Sequence, residues 1–257
     1  MDKPKYPWAD VIILTRTFFI FELMSQYSIL DERAPQGAAT MDYTIEGNPD
    51  YGHLVVSLES GETFIAEGGS MAWMSHGTQI NARLLGGFTR ALVRKVVGGE
   101  SLFVGEFSHP EGGQVSFSPA VPGTVHHRRV NNDKLILTGG SFMACTDGVR
   151  LGTQFGGLRS MFSGEGLFFI ECSGMGDLFF NSYGAMIEKD VAGDLTVDTG
   201  HVVAWEPTLS YTIRGMGGLK STLLSGEGLA MSFSGVGKIY LQSRTMPALA
   251  GWLTPFG

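Results

Sequence analysis

Two short glycine signatures recur in the same order along this chain, each leading into an apolar run, and that recurrence restricts the possible folds more than any other feature. One signature reads Val97-Gly98-Gly99-Glu100-Ser101-Leu102-Phe103. It returns as Phe162-Ser163-Gly164-Glu165-Gly166-Leu167-Phe168 and again as Leu224-Ser225-Gly226-Glu227-Gly228-Leu229-Ala230. The three glutamates stand 65 and 62 residues apart. Upstream of each lies the second signature: Gly68-Gly69-Ser70-Met71-Ala72-Trp73, Gly139-Gly140-Ser141-Phe142-Met143-Ala144, and the more diverged Thr199-Gly200-His201-Val202-Val203-Ala204-Trp205. Self-similarity at a near-constant period marks units that cannot bury their apolar faces alone and stack to do so.

The runs after the glutamates, Leu102–Phe107, Leu167–Cys172 and Leu229–Phe233, are short, rich in aromatics and bounded by glycine, which predicts strands. Leu167 and Phe169 share one face of such a strand while Phe168 and Ile170 share the other, so the strand belongs between two layers. Ser173-Gly174-Met175-Gly176 and Ser234-Gly235-Val236-Gly237 read as turns into further strands, Asp177–Asn181 and Lys238–Gln242. In the first unit a longer connection, Ser108–Gly113, takes that place. One hairpin is marginal in water, so the units must pack on one another. The expected architecture is all-β, a double-stranded β-helix or β-sandwich built from three tandem repeats at 41–122, 123–184 and 185–257, with one or two short helices. Phe88, Leu92 and Val96 have helical spacing beside Arg90, Arg94 and Lys95. The tail Pro247–Phe256 carries an apolar stripe of Leu249, Trp252, Leu253 and Phe256, with Pro247 placed for a helix start. Residues 1–40 stand outside the repeat as an N-terminal extension ending in a linker, Asp31–Thr40; they read first as lying upstream of Met41 as the true initiator, and second as an amphipathic segment docked on the domain or on a membrane.

Composition narrows the function classes. Thirty-seven glycines without a Gly-X-Y period exclude collagen. A net charge of −7 disfavours a nucleic-acid binder that works by neutralising phosphates. Two cysteines, Cys145 and Cys172, form no disulfide framework and read as buried thiols in a reducing compartment, so a cytoplasmic location is expected. Arg16 and Glu22 interrupt the apolar stretch 11–30, which makes it a poor transmembrane helix.

From Met41 onward the chain resembles the Altered Inheritance of Mitochondria family, of the kind numbered twenty-four. The resemblance rests on the Gly-Gly-Glu and Ser-Gly-Glu-Gly turns, on Ser-Gly-x-Gly before a strand, on Val197-Asp198-Thr199-Gly200-His201, and on Leu241-Gln242-Ser243-Arg244. It implies a fold similar to that of the tryptophan RNA-binding attenuation protein. It supplies no catalytic residues to carry over. Eukaryotic members are mitochondrial and associated with inner-membrane organisation, a location not expected here because the chain has no Arg- and Ser-rich, acid-poor leader.

Reactive chemistry has few anchors. Of the six histidines, His126 and His127 are adjacent, so a strand sends them to opposite faces and they cannot chelate one ion from the same side. No His-x-His or Cys-x-x-Cys occurs, and no metal site, cofactor or catalytic group is expected. His126-His127-Arg128-Arg129 is the densest cationic run, read first as a solvated strand edge and second as a place for an anion or acidic headgroup. Glu100, Glu165 and Glu227 hold matching positions that a pseudo-threefold fold could gather around an axis. The Gly-x-Gly pairs precede strands rather than helices, so they are not phosphate loops. The segment Arg83–Lys95 reads as a crossover helix or, with Arg90, Arg94 and Lys95 on an anionic membrane, as a lipid contact. Trp252 and Phe256 mark a plug or subunit contact. The function expected is a non-enzymatic, self-associating scaffold, a homo-oligomer. Its rivals are a peripheral membrane organiser and a cupin-like metal-dependent enzyme.

Overall fold

A computed structural model of the chain describes residues 41–85, 103–155, 168–215 and 229–254. Within 41–122 the strands are β1 (Asp42–Glu46), β2 (His53–Leu58), β3 (Thr63–Glu67), β4 (Met71–Met74), β5 (Gln79–Leu84), β6 (Phe103–Ser108) and β7 (Gly113–Phe117). Within 123–184 they are β8 (Val125–Thr138), β9 (Phe142–Thr146), β10 (Val149–Phe155) and β11 (Phe168–Asn181). The last stretch holds β12 (Met186–Asp198), β13 (Val202–Trp205), β14 (Leu209–Gly215), β15 (Leu229–Gln242) and the helix α1 (Met246–Leu253). The protein is all-β with large antiparallel sheets, and α1 is the one α-helix among the described residues. Local sequence explains the strands: β2 (HLVVSL) alternates half-buried and buried positions along its length, the period-two pattern of a sheet with one face on a core.

Three successive stretches of chain follow one pairing scheme. Long hairpins join β8 to β11 and β12 to β15; in the first stretch the same ladder is split, with β2 on β7 and β3 on β6. Ala66 opposes Gly105, Leu137 opposes Ile170 and Val197 opposes Met231. A third strand covers the end of each hairpin: β5 on β6, β10 on β11 and β14 on β15. The strand after each glycine signature folds back on its own hairpin, β4 on β7, β9 on β11 and β13 on β15, and each of these three ladders carries a register shift. Two of those strands also reach the preceding hairpin, β9 on β3 and β13 on β8. Those two junctions fuse most strands into one eleven-membered sheet, beside a four-stranded sheet ordered β1-β2-β7-β4.

Two sequence readings need correction. Ser173–Gly176 and Ser234–Gly237 are not turns: β11 and β15 run through them as single strands of 14 residues each. Gly174 (φ 103°) and Gly235 (φ 131°) take a backbone conformation closed to other residues, and β11 shifts register against β8 between Ser173 and Met175. A glycine inside a ladder bends the strand instead of ending it. The first stretch does break there, between β6 and β7. A second correction concerns Arg83 and Leu84, read as the start of an amphipathic helix; both lie in β5, where Leu84 opposes Phe103 and the Arg83 guanidinium meets Glu106 at 2.8 Å. The helix at the tail forms as its sequence predicts, with Pro247 in its first turn and the Thr245 hydroxyl accepting from the Ala248 N–H.

The both-faces-apolar reading of β11 holds. Phe168 and Ile170 enter one buried cluster with Leu135, Leu137 and Cys145, while Phe169 on the opposite face packs with Trp205, Met231 and Phe233 in another. A third cluster, around Phe64, Phe107, Phe117 and Phe179, fills the space under the four-stranded sheet.

Candidate functional site

Strand β8 carries the cationic run, and its alternation divides the run between two faces. On one face His127 donates from Nε2 to Asp177 Oδ1 at 2.9 Å, and Arg129 donates from Nη1 to Asp177 Oδ2 at 2.6 Å. The backbone N–H of Met41 reaches the same Oδ2 at 3.3 Å. Asp177 sits directly across the ladder from Arg129, and its own N–H donates to Thr146 Oγ1. Its side chain is 1% exposed. Burial alone would push this carboxyl up, but the hydrogen bonds from His127, Arg129 and Met41 together hold it below its ordinary value. The His127 ring also stacks against Tyr43 and Phe179, with centroids 4.8 and 5.1 Å away.

On the other face Arg128 Nη2 contacts Asp133 at 2.5 Å and Glu206 at 3.5 Å. His126 packs against Phe180 and Tyr240 and faces Glu188 at 3.6 Å. Burial lowers the His126 pKa, and Glu188 opposes that only in part. Glu188 in turn meets Lys238 at 3.1 Å. All four cationic side chains of the run therefore face carboxylates within the fold. Asp133 belongs to β8 itself; the other carboxylates come from β11, β12 and the chain just after β13, so the run ties elements distant in sequence together. His126 and His127 do point apart, and among the described residues no group of three metal-ligating side chains converges.

Two motifs that carried the family resemblance meet in space. In Val197-Asp198-Thr199-Gly200-His201, the Asp198 carboxylate accepts from the Gly200 N–H at 2.8 Å. In Leu241-Gln242-Ser243-Arg244, Gln242 donates to the Gly200 carbonyl at 2.7 Å and accepts from the Tyr183 N–H at 2.9 Å. His201 Nδ1 lies 2.7 Å from the Gln242 carbonyl, so that nitrogen carries the proton. Ser243 Oγ accepts from the Ala185 N–H. These bonds fix the floor of an open groove of about 430 Å³, lined by Tyr183, His201, Arg244 and, from α1, Trp252. Arg244 makes no ion pair among the described residues. The sequence reading quoted these motifs without assigning them a site; their 40-residue separation hid the contact, and the one signal was their common polar character.

The remaining sequence candidates are quickly placed. Glu100, Glu165, Glu227, Arg90, Arg94, Lys95 and Phe256 lie outside the described residues, as does all but the first part of the segment Arg83–Lys95. Cys145 and Cys172 are free thiols with no exposure, and burial raises both pKa values well above that of an ordinary cysteine, which leaves them poor nucleophiles.

Fold and site together define an all-β protein whose densest cationic run is committed to ion pairs within the fold. A profile of the family described as mitochondrial biogenesis AIM24 matches residues 43–244, and the chain belongs to that family. An uncharacterised protein of Streptococcus pyogenes serotype M6 is 29% identical over 222 residues, covering 83% of this chain and 90% of the relative. An X-ray crystal structure of a Streptococcus pyogenes protein superposes with a TM-score of 0.72 at 28% identity, covering 84% of this chain and all of that one. No described helix is long and apolar enough to cross a membrane.

Proposed function

We propose that this protein is a non-enzymatic scaffold that self-associates, and that its three stretches of shared pairing scheme are copies of one unit. The observation that carries the reading is where the polar chemistry goes. In the strongest acid–base constellation, Asp177 with His127 and Arg129, the carboxylate is buried and both its oxygens are hydrogen-bonded within the fold. Its geometry suits a staple between strands rather than a group that meets a substrate. The thiols are equally shut away. Trp73, Ile187, Val236 and Trp252 are exposed, and β4 and β12 end their sheets, which is apolar surface and open edge of the kind that assembly covers. Light scattering on the full chain at micromolar concentration tests the reading. A mass of two or more chains is expected; a mass of one chain rejects self-association.

A peripheral membrane role is favoured by one separate observation. Helix α1 has no charged residue and no buried one, and it exposes Met246, Trp252 and Leu253. Such a face suits the interfacial layer of a bilayer. Co-sedimentation with vesicles containing anionic lipid, compared with neutral vesicles, tests it; absence of pelleting at low salt ends it.

A further inference from the structure

Among the described residues the chain makes one kind of junction twice and leaves both halves of a third unmade. Counting from the central glycine of each signature (Gly69, Gly140, Gly200), the two junctions share one register. Ala144 opposes Ala66 and Cys145 opposes Ile65 where β9 meets β3. Ala204 opposes Leu137 and Trp205 opposes Ile136 where β13 meets β8. Both junctions are dry: every residue of β13 and the first four of β9 are buried, as are Phe64, Ile65 and Ala66 on β3 and Leu135, Ile136 and Leu137 on β8.

The equivalent of β9 and β13 in the first stretch is β4, and among the described residues no earlier stretch supplies a strand for it to pair with. All four of its residues are exposed, with Met71 at 36%, Trp73 at 47% and Met74 at 38%. The equivalent of β3 and β8 in the last stretch is β12. It ends the eleven-stranded sheet, and Leu195, Thr196 and Val197 are only half-buried or exposed where their counterparts are dry. Among the described residues β4 pairs only with β7, and β12 only with β15. One molecule thus presents the two complementary halves of an interface whose fit the same chain demonstrates internally.

We propose that β4 of one chain adds to β12 of a second copy, antiparallel, with Trp73 opposite Val197 and Met74 opposite Thr196. This deepens the self-association reading and rests on it. The contact is heterologous, so it closes into a ring or continues as a filament according to the rotation between copies. Its affinity comes from completing two open ladders and covering an apolar edge that a solitary chain leaves to water. Trp73 stands where the internal junctions have Ala144 and Ala204, so the uncovered strand carries a large apolar side chain at that position.

Mixed cross-linking tests the register. Residues directly opposite in an antiparallel pair have Cα atoms about 4.5–5.5 Å apart, within disulfide range. Two full-length variants, Trp73→Cys and Val197→Cys, are oxidised separately and together; the native thiols are fully buried and do not compete. A disulfide-linked pair is expected from the mixture and not from either variant alone. The double variant should give a ladder of cross-linked multimers. No cross-link in the mixture, or a disulfide closed within one chain of the double variant, overturns the proposal. Light scattering on Trp73→Glu, a surface change whose fold is checked by circular dichroism, separates this proposal from the reading beneath it. A drop to the mass of one chain is expected. An oligomer whose mass survives Trp73→Glu keeps the scaffold and loses the junction, whereas a wild-type monomer loses both.

Discussion

A carboxylate shut away from water stays ionised only if neighbouring groups do what water would have done, and Asp177 is the residue where this protein relies on that. Its folded pKa lies below the ordinary 3.8, so the unfolded chain takes up the proton first as pH falls. The stabilisation is therefore complete above that ordinary value and drains away as pH drops through the folded one. Asp177→Asn should cost about 2 kcal/mol at neutral pH, below the usual figure for a broken buried pair because His127 and Arg129 can still reach solvent. In urea titrations the variant should also lose part of the wild type's decline below pH 3.8; an unchanged acid limb would show that another carboxyl governs it. His126 has the same sign for a different reason. Burial depresses its pKa below 6.5, so folding favours the neutral ring, and its contribution is whole above pH 6.5 and lost as pH falls through the folded value. His126→Phe should flatten the decline in stability below pH 6.5, read from thermal unfolding at each pH. The opposed directions of His126 and His127 were legible from adjacency in a strand. Their acidic partners were not: Asp177 lies 50 residues from His127, and nothing local in the sequence announces a contact of that range.

At the scale of the element, the glycine pattern was readable and its meaning only partly so. Glycine-bounded aromatic runs located β6, β11 and β15, because a strand between two apolar layers has little polar alternation to blur it. Glycine pairs within a run are ambiguous, since the same residues end a strand or bend it, and only the continuing ladder decides which. In β11 and β15 the ladder continues, and the decisive positions are crowded. A Cβ on Gly174 would stand 2.5 Å from the Gly148 carbonyl oxygen, and one on Gly235 2.7 Å from that of Thr208, in backbone conformations that already disfavour a side chain. Gly193 in β12 has a similar φ of 119° but open space around it. Gly174→Ala and Gly235→Ala should each destabilise by about 2–3 kcal/mol, dihedral strain plus a backbone clash, and Gly193→Ala by about 1 kcal/mol, strain alone. Urea midpoints of the three variants check that order; equal losses would mean the close approaches are absent in solution.

For the whole molecule, what matters is that the core is shared among the three stretches of chain. One buried cluster takes Ile65 and Val104 from the first, Leu135, Leu137, Cys145, Ile170 and Cys172 from the second, and Val203, Ala204 and Tyr240 from the third. A string of units with separate cores would open one unit at a time. A shared core allows no stretch to leave without exposing the others, so unfolding should be a single cooperative event. The two thiols report on this directly, because both belong to the shared cluster and neither touches solvent. Thiol labelling with an aromatic disulfide reagent should therefore be negligible in the native protein and should appear across urea concentration with the same midpoint as the loss of β-sheet circular dichroism. Labelling at lower urea than the loss of sheet signal would mean that the second stretch opens by itself, and the fold would then behave as three domains in a row rather than as one interlocked body. That distinction bears on assembly as well. If the stretches are locked to one another, the two open edges at β4 and β12 are held at a fixed mutual angle, and any head-to-tail association of copies is committed to one curvature.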